Sequence, residues 1–210
     1  MKLFAHDSPL MTGIGKLVDY VLLGLLWILA CLPVITFGAA TTAMLLTAEI
    51  SLRKGEGRIF KTFWRSFRKE FKQATILWLI QLPVLAILAI DVWMSITLLS
   101  GLVRVLFLAV FIIIFSWTQL WFAYLSKFKD NVKTILSNSF RISMGDPFKT
   151  FLMSLLIAAT VVAAVAAFLL MPPLLPLVFG IFILAYTSLL RSLFNRYIPK
   201  ENPELPGETE

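Results

Sequence analysis

TFLMSLLIAATVVAAVAAFLLMPPLLPLVFGIFILAYTSLL, residues 150–190, runs for 41 residues without one Asp, Glu, Lys, Arg or His. A bilayer core is about 30 Å thick and takes about 20 apolar residues at a helical rise of ~1.5 Å each. The stretch holds two spans if the chain reverses inside it. Pro172, Pro173 and Pro176 supply the reversal. Pro172 is pushed from helical backbone by the proline after it, and one helix through three prolines is untenable. Helices over about 150–170 and 174–193 are predicted.

The same reading extends towards the start. Val105–Ser126, Ala74–Ile90 and Tyr20–Ala48 are also free of Asp, Glu, Lys, Arg and His. They place further segments at about 103–125, 73–93 and 18–48. The chain is 59% apolar and 15% charged, where soluble domains carry about 25% charge. A soluble chain of 210 residues cannot hide so much apolar surface. The fold class is therefore all-α: a polytopic helical membrane protein of about five transmembrane helices, forming a single membrane domain over residues 1–210. Aromatic side chains at Trp93, and at Trp117, Trp121 and Tyr124, sit near segment ends, where they anchor helices at headgroup level. The first apolar run is too long for a signal-peptide core.

Segment one, 18–48, contains Pro33 near its middle and Gly38 soon after. Proline removes a backbone donor and clashes with the preceding turn. Two readings stay open: one long kinked helix, which is preferred, or two half-helices meeting at a break.

The basic residues orient the chain. Of 19 Lys and Arg, 16 lie in three regions: Arg53 to Lys72, Lys127 to Lys149, and Arg191 to Lys200. Loops rich in Lys and Arg stay in the cytoplasm. Loops 49–72 and 127–149 and the polar tail 194–210 are thus expected inside the bacterial cytoplasmic membrane, in a multi-pass arrangement. Lys2 and Lys16 are nearly balanced by Asp7 and Asp19. The preferred single crossing of segment one puts the N-terminus outside; a re-entrant hairpin puts it inside. The net charge of +7 is placed to meet anionic lipid headgroups, and no nucleic-acid partner is expected.

Within the first basic loop, Phe60, Phe63, Trp64, Phe67 and Phe71 recur every three or four residues. Lys61, Arg65, Arg68, Lys69 and Lys72 fill the remaining surface. This pattern predicts an amphipathic interfacial helix that meets lipid headgroups or a cytoplasmic partner. In the second loop, Asp146 and Pro147 suit an N-cap and a first helical position. The tripeptide Ser-Phe-Arg occurs at Ser66–Arg68 and Ser139–Arg141. It suggests a parallel duplication of segments one and two in three and four, although coincidence also explains so short a match.

The opening DSPLMTGIGKLVDYVLLGLLWILACLPVITFGAATTAM (residues 7–44) and the string FWRSFRKEFKQATILWLI (residues 63–80) resemble the YesL-like family of bacterial integral membrane proteins, the domain of unknown function 624. The resemblance implies a membrane protein of Gram-positive type bacteria. Members are often encoded near carbohydrate importers and glycan-degrading enzymes, which implies an accessory role in sugar uptake. It carries over no catalytic residues.

The residues themselves give no catalytic or metal-binding constellation, and no cofactor is expected. His6 is the only histidine, too few ligands for a histidine-based metal site. Cys31 is the only cysteine and reads as an inert thiol in an apolar run. Asp19, Glu49, Asp91 and Arg104 fall at predicted helix ends, where ionisable groups cost little. Neutral polar residues could still form a path: Pro33, Thr36, Gly38, Thr41 and Thr42 at the break, Gln81 in segment two, and Gln119 beside Ser116 and Thr118. Close helix packing through small and hydroxylated residues is the plainer reading of the same positions. Two functions are therefore carried forward. One is a non-catalytic accessory, whose partners the resemblance implies to be subunits of a carbohydrate ABC importer. The other is a small transporter or channel acting as a homo-oligomer.

Overall fold

The computed structural model describes residues 9–52, 58–98 and 100–197. Eight α-helices are found among them: α1 (Pro9–Cys31), α2 (Phe37–Thr47), α3 (Ile59–Thr97), α4 (Gly101–Thr118), α5 (Leu120–Leu125), α6 (Val132–Gly145), α7 (Pro147–Leu170) and α8 (Leu175–Phe194). No strand occurs among the described residues. Four helical stretches are long and apolar enough to cross a membrane: Ile59–Thr97, Gly101–Leu125, Pro147–Leu170 and Pro172–Phe194. Their outer faces stay uncovered: Val162, Leu169 and Leu170 are 70%, 75% and 85% exposed. Apolar surface on this scale requires lipid as its solvent. The protein is a helical, multi-pass membrane protein.

Segment one divides. It forms two shorter apolar helices, Leu17–Cys31 and Val34–Ile50, separated at Pro33. The preferred single kinked helix gives way to the broken form. Proline has no N–H to continue the helix, and a carbonyl freed within lipid needs another donor. The Thr36 hydroxyl supplies it, its one proton shared between Ala30 O at 2.5 Å and Pro33 O at 2.6 Å. Thr36 N–H also donates to Pro33 O at 3.0 Å. Cys31 sits partly buried where α1 ends.

The two halves return on each other. Ala30 meets Thr36, Trp27 Nε1 donates to Thr41 Oγ1 at 3.2 Å, and α1 also touches the helical turn Ala48–Leu52 that follows α2. Partners lie progressively farther from the break on both sides, the signature of an antiparallel hairpin. The hairpin tip is apolar and outward: Leu32, Val34 and Ile35 are 74%, 66% and 60% exposed.

Glycines set the two closest helix contacts. A Cβ on Gly24 would lie 2.9 Å from Pro176 O, and one on Gly180 would lie 3.1 Å from the Tyr20 carbonyl carbon. This double glycine contact lets α1 and α8 touch backbone to backbone. A Cβ on Gly38 would lie 2.6 Å from Ala74 O and 2.8 Å from the Phe122 ring, so α2 rests directly on α3. Ala39, Ala40 and Ala43 are fully buried. Close approach through small residues is a main source of helix association in lipid, where the hydrophobic drive is absent.

The first basic region is not a separate surface helix. Residues 59–72 form the opening turns of α3, which continues unbroken through Pro83 to Thr97. Past the end of α3, Arg104 donates to the Ser95 and Ile96 carbonyls at 3.1 and 3.2 Å, closing the turn into α4 by satisfying terminal carbonyls. The second basic region contains α6, and α7 then starts at Pro147 with Asp146 as its N-cap residue. The Asp146 side chain makes no cap hydrogen bond. It instead accepts from Arg196 at 2.6 Å and from Tyr197 at 2.9 Å, fastening the end of α8. The two Ser-Phe-Arg tripeptides differ in setting: one lies inside continuous α3, the other inside α6 before a break.

Candidate cavity and basic helix face

A cavity of about 630 Å³ lies among α1, α2, α3, α4, α5, α7 and α8. Aromatic rings pave one wall. Phe179 and Trp27 centroids are 4.8 Å apart, Trp27 and Phe37 5.8 Å, Phe37 and Trp78 4.5 Å, and Trp78 and Phe122 6.4 Å. Such tilted and edge contacts suit the ring quadrupole. The facing wall is aliphatic, from Ile157, Val161, Ala164 and Val165 of α7. Val161, Val165 and Leu169 are 58%, 55% and 75% exposed, so this wall opens to the surroundings.

No charged side chain is among the lining residues. The polar groups are few and buried. Gln119 Nε2 donates to Thr150 O at 3.0 Å and to Ser154 Oγ at 2.6 Å. A carbonyl can only accept, so this bond fixes the amide with its oxygen on the other side. That oxygen, Gln119 Oε1, has no partner within the protein. Gln81 Oε1 and Trp78 Nε1 are likewise unpartnered, and Gln81, Gln119 and Trp78 are only 6%, 8% and 7% exposed. Ser116 and Ser154 hydroxyls meet at 2.9 Å, tying α4 to α7 behind Gln119.

The sizes decide what suits the space. At liquid density 630 Å³ corresponds to on the order of twenty waters, each needing two to four polar partners. The walls offer only a handful. Apolar matter suits it better, because the walls are almost wholly aromatic and aliphatic.

The polar positions expected to lie together are thereby sorted. Thr41, Gln81 and Gln119 line the cavity. Pro33 and Thr36 instead form the break. Gly38 is the α2–α3 contact, and Thr42 Oγ1 donates back to Gly38 O at 3.0 Å. Sequence reading missed the α7 contributors Thr150, Ser154 and Thr160. The four-residue spacing of Thr150 and Ser154, on one helical face, was the available signal. It also missed the aromatic wall, whose rings come from five different helices. His6 lies outside the described residues, as do Arg53, Lys54 and Lys200.

A second feature is the first half of α3, which presents three faces. Ile59, Phe63, Ser66, Ala74 and Leu77 are buried. Beside them Phe60, Trp64 and Phe71 are exposed by 66%, 42% and 37%, and partly buried Phe67 stacks on Trp64 at 5.3 Å. Lys61, Arg65, Arg68, Lys69 and Lys72 are all exposed. The expected aromatic stripe is therefore split: Phe63 enters the core, and the other four form a lateral face. Arg68 sits 5.5 Å from the Trp64 ring centroid, within cation–π range. Gln73 Nε2 donates to Asp130 O, marking where α3 passes the loop after α5. The basic turns lie beyond that level.

Residues 20–92 match the model of a family described as a protein of unknown function, DUF624. The match covers the hairpin of α1 and α2 and most of α3, and the family is the one that the opening sequence resembles. No curated protein and no solved structure matches the chain.

Proposed function

We propose that this chain is a non-catalytic accessory protein of the bacterial cytoplasmic membrane, binding a partner through the basic and aromatic faces of α3. One observation carries the reading. The exposed Lys61, Arg65, Arg68, Lys69 and Lys72 and the stacked Trp64 and Phe67 stand on the same unbroken helix as a membrane span. A rigid arm rooted in the bilayer presents anchor types that dominate protein interfaces, Trp and Arg, without a loop to order on binding. Anionic headgroups suit the same basic face. The resemblance to the YesL-like family directs the search for the partner to subunits of a carbohydrate ABC importer.

The hairpin in segment one supports four crossings, by α3, α4–α5, α7 and α8. The N-terminal end of α1 then lies on the cytoplasmic side, reversing the outside placement preferred from sequence. With that arrangement all three basic regions share one side, as the positive-inside rule requires. The transporter alternative, a polar path for sugar, draws less support, because the cavity beside the break is walled by aromatic and aliphatic groups.

The test is purification of the tagged full-length protein from its native membrane in mild detergent, with mass spectrometry of what accompanies it. Importer subunits should be recovered with wild type. They should be lost when Lys61, Arg65, Arg68, Lys69 and Lys72 are all changed to Glu in a variant that still inserts. Recovery of wild type alone, in several mild detergents, would sink the proposal.

A further inference from the structure

We propose that Lys69 of α3 and Lys129 of the loop after α5 form a binding site for the phosphate of an anionic phospholipid, with Arg65 as the third cation. The two lysines come from separate parts of the chain and meet. Lys129 stands within hydrogen-bonding reach of Lys69, and the charge of Arg65, one helical turn away, acts on the same group. Further contacts hold the loop in place. Gln73 Nε2, one turn along α3 from Lys69, donates to Asp130 O, next to Lys129. The Asp130 carboxylate accepts from the Tyr124 hydroxyl at 2.6 Å, and Asn138 Nδ2 donates to that hydroxyl at 2.8 Å. The loop is thus fastened to α3, α5 and α6 beside the pair.

Charge selects an anion. Two ammonium groups repel at this range, and an anion between them turns repulsion into paired, charge-assisted hydrogen bonds. No carboxylate of the described residues forms an ion pair with either lysine. Glu70 is the one acidic group whose charge acts on Lys69, so three cations face one carboxylate. Depth selects a lipid. Lys69 precedes Ala74, where the run free of Asp, Glu, Lys, Arg and His begins, by five residues, about 7 Å along a helix. The headgroup layer is about 5–7 Å thick on each side of the hydrocarbon, so the pair stands at the level of lipid phosphates. A phosphodiester offers two free oxygens, one for each lysine. A choline head brings a cation that the cluster repels, whereas a glycerol head brings none, and basic pockets at a membrane surface take anionic headgroups for this reason. The class is therefore an anionic phospholipid of the phosphatidylglycerol kind. This makes specific the headgroup affinity given above to the basic face of α3, and it rests on that part of the reading alone, not on a protein partner.

The test uses the purified full-length protein in mixed micelles of phosphatidylglycerol and phosphatidylcholine, with native mass spectrometry reading which lipid it retains. Wild type should retain phosphatidylglycerol at a mole fraction about tenfold below that needed for phosphatidylcholine, the range of one hydrogen bond to a charged group. The variant Lys69→Gln, Lys129→Gln is compared with Arg68→Gln, Lys72→Gln, which removes the same charge at the same depth of α3. All four residues are exposed, so neither variant alters the core. The first variant should lose at least about fivefold more of the preference than the second, the worth of one further cation at a membrane surface. Equal losses would mean a diffuse surface potential; they would leave the affinity of the α3 face standing and overturn the two-lysine site. No preference in wild type would leave these cations to an acidic protein surface and would overturn it too. Sodium phosphate should displace no more lipid than sodium chloride of equal ionic strength. Displacement by phosphate alone would make the occupant a soluble phosphate and overturn the lipid source.

Discussion

Gly38→Ala is the sharpest test of how α2 is seated. The added Cβ would stand 2.6 Å from Ala74 O, 2.8 Å from Phe122 Cε1 and 3.0 Å from Trp78 Cβ. The Phe122 contact is with the edge of a side-chain ring. The Ala74 carbonyl belongs to the backbone of α3, inside a continuous helix, and does not yield alone. Ordinary contact begins near 3.4 Å, so α2 must lift from α3 by several tenths of an ångström or more. Overpacking of this kind costs about 1–3 kcal/mol. Alanine returns up to about 1 kcal/mol through better helix propensity. The net expectation is a loss of about 1–2 kcal/mol. The assay is equilibrium unfolding in mixed micelles of rising sodium dodecyl sulfate fraction, followed by circular dichroism. Gly15→Ala is the matched control: nothing lies within 4 Å of its Cβ position, so only the propensity gain should show. If Gly38→Ala unfolds no earlier than wild type while Gly15→Ala behaves as stated, α2 does not rest on α3 at Ala74.

Two further outcomes follow from single contacts. Thr36→Val keeps the shape of the side chain but removes the hydroxyl that serves Ala30 O and Pro33 O; a loss of about 1–3 kcal/mol is expected in the same unfolding assay, with Thr36→Ser near wild type. Just past the end of α8, burial first and the Asp146 carboxylate next hold the Tyr197 hydroxyl above its usual 10.0. A raised folded value means that its contribution is fully present below about pH 10 and fades as pH rises through the folded value. Absorbance titration of tyrosinate, taken as the difference from Tyr197→Phe, should place it above 10.0 and partly lower in Asp146→Asn; titration at or below the ordinary tyrosine value would refute the contact.

The sequence alone determined that this chain folds as helices in lipid. The 41 residues from Thr150 to Leu190 contain no Asp, Glu, Lys, Arg or His, and an apolar run of that length, without the alternation of a barrel strand, buries its backbone in hydrocarbon as helices. It also marked one helix end: Pro172 and Pro173 fall at the turn between α7 and α8, where two adjacent prolines forbid a continuing helix. Single prolines were not decisive, since Pro33 stands at a gap between α1 and α2 and Pro83 inside unbroken α3. Tertiary structure decided the rest. Periodicity in 60–72 announced a helix but could not say that it joins the next span, nor that Phe63 turns inward while Phe60 and Trp64 face out. A helical stripe records which residues share a side, and the neighbour that covers part of that side, here α2, lies elsewhere in the chain. The same holds for segment one. A proline break leaves the direction of the next helix open, and only the contacts of Trp27 with Thr41 and of Gly38 with Ala74 turn two half-helices into a hairpin. The cavity is the extreme case. Gln81 and Gln119 were visible as polar residues in apolar runs, but the rings that enclose them come from Trp27, Phe37, Trp78, Phe122 and Phe179. A concave surface belongs to no single helix and exists only once several have packed around it.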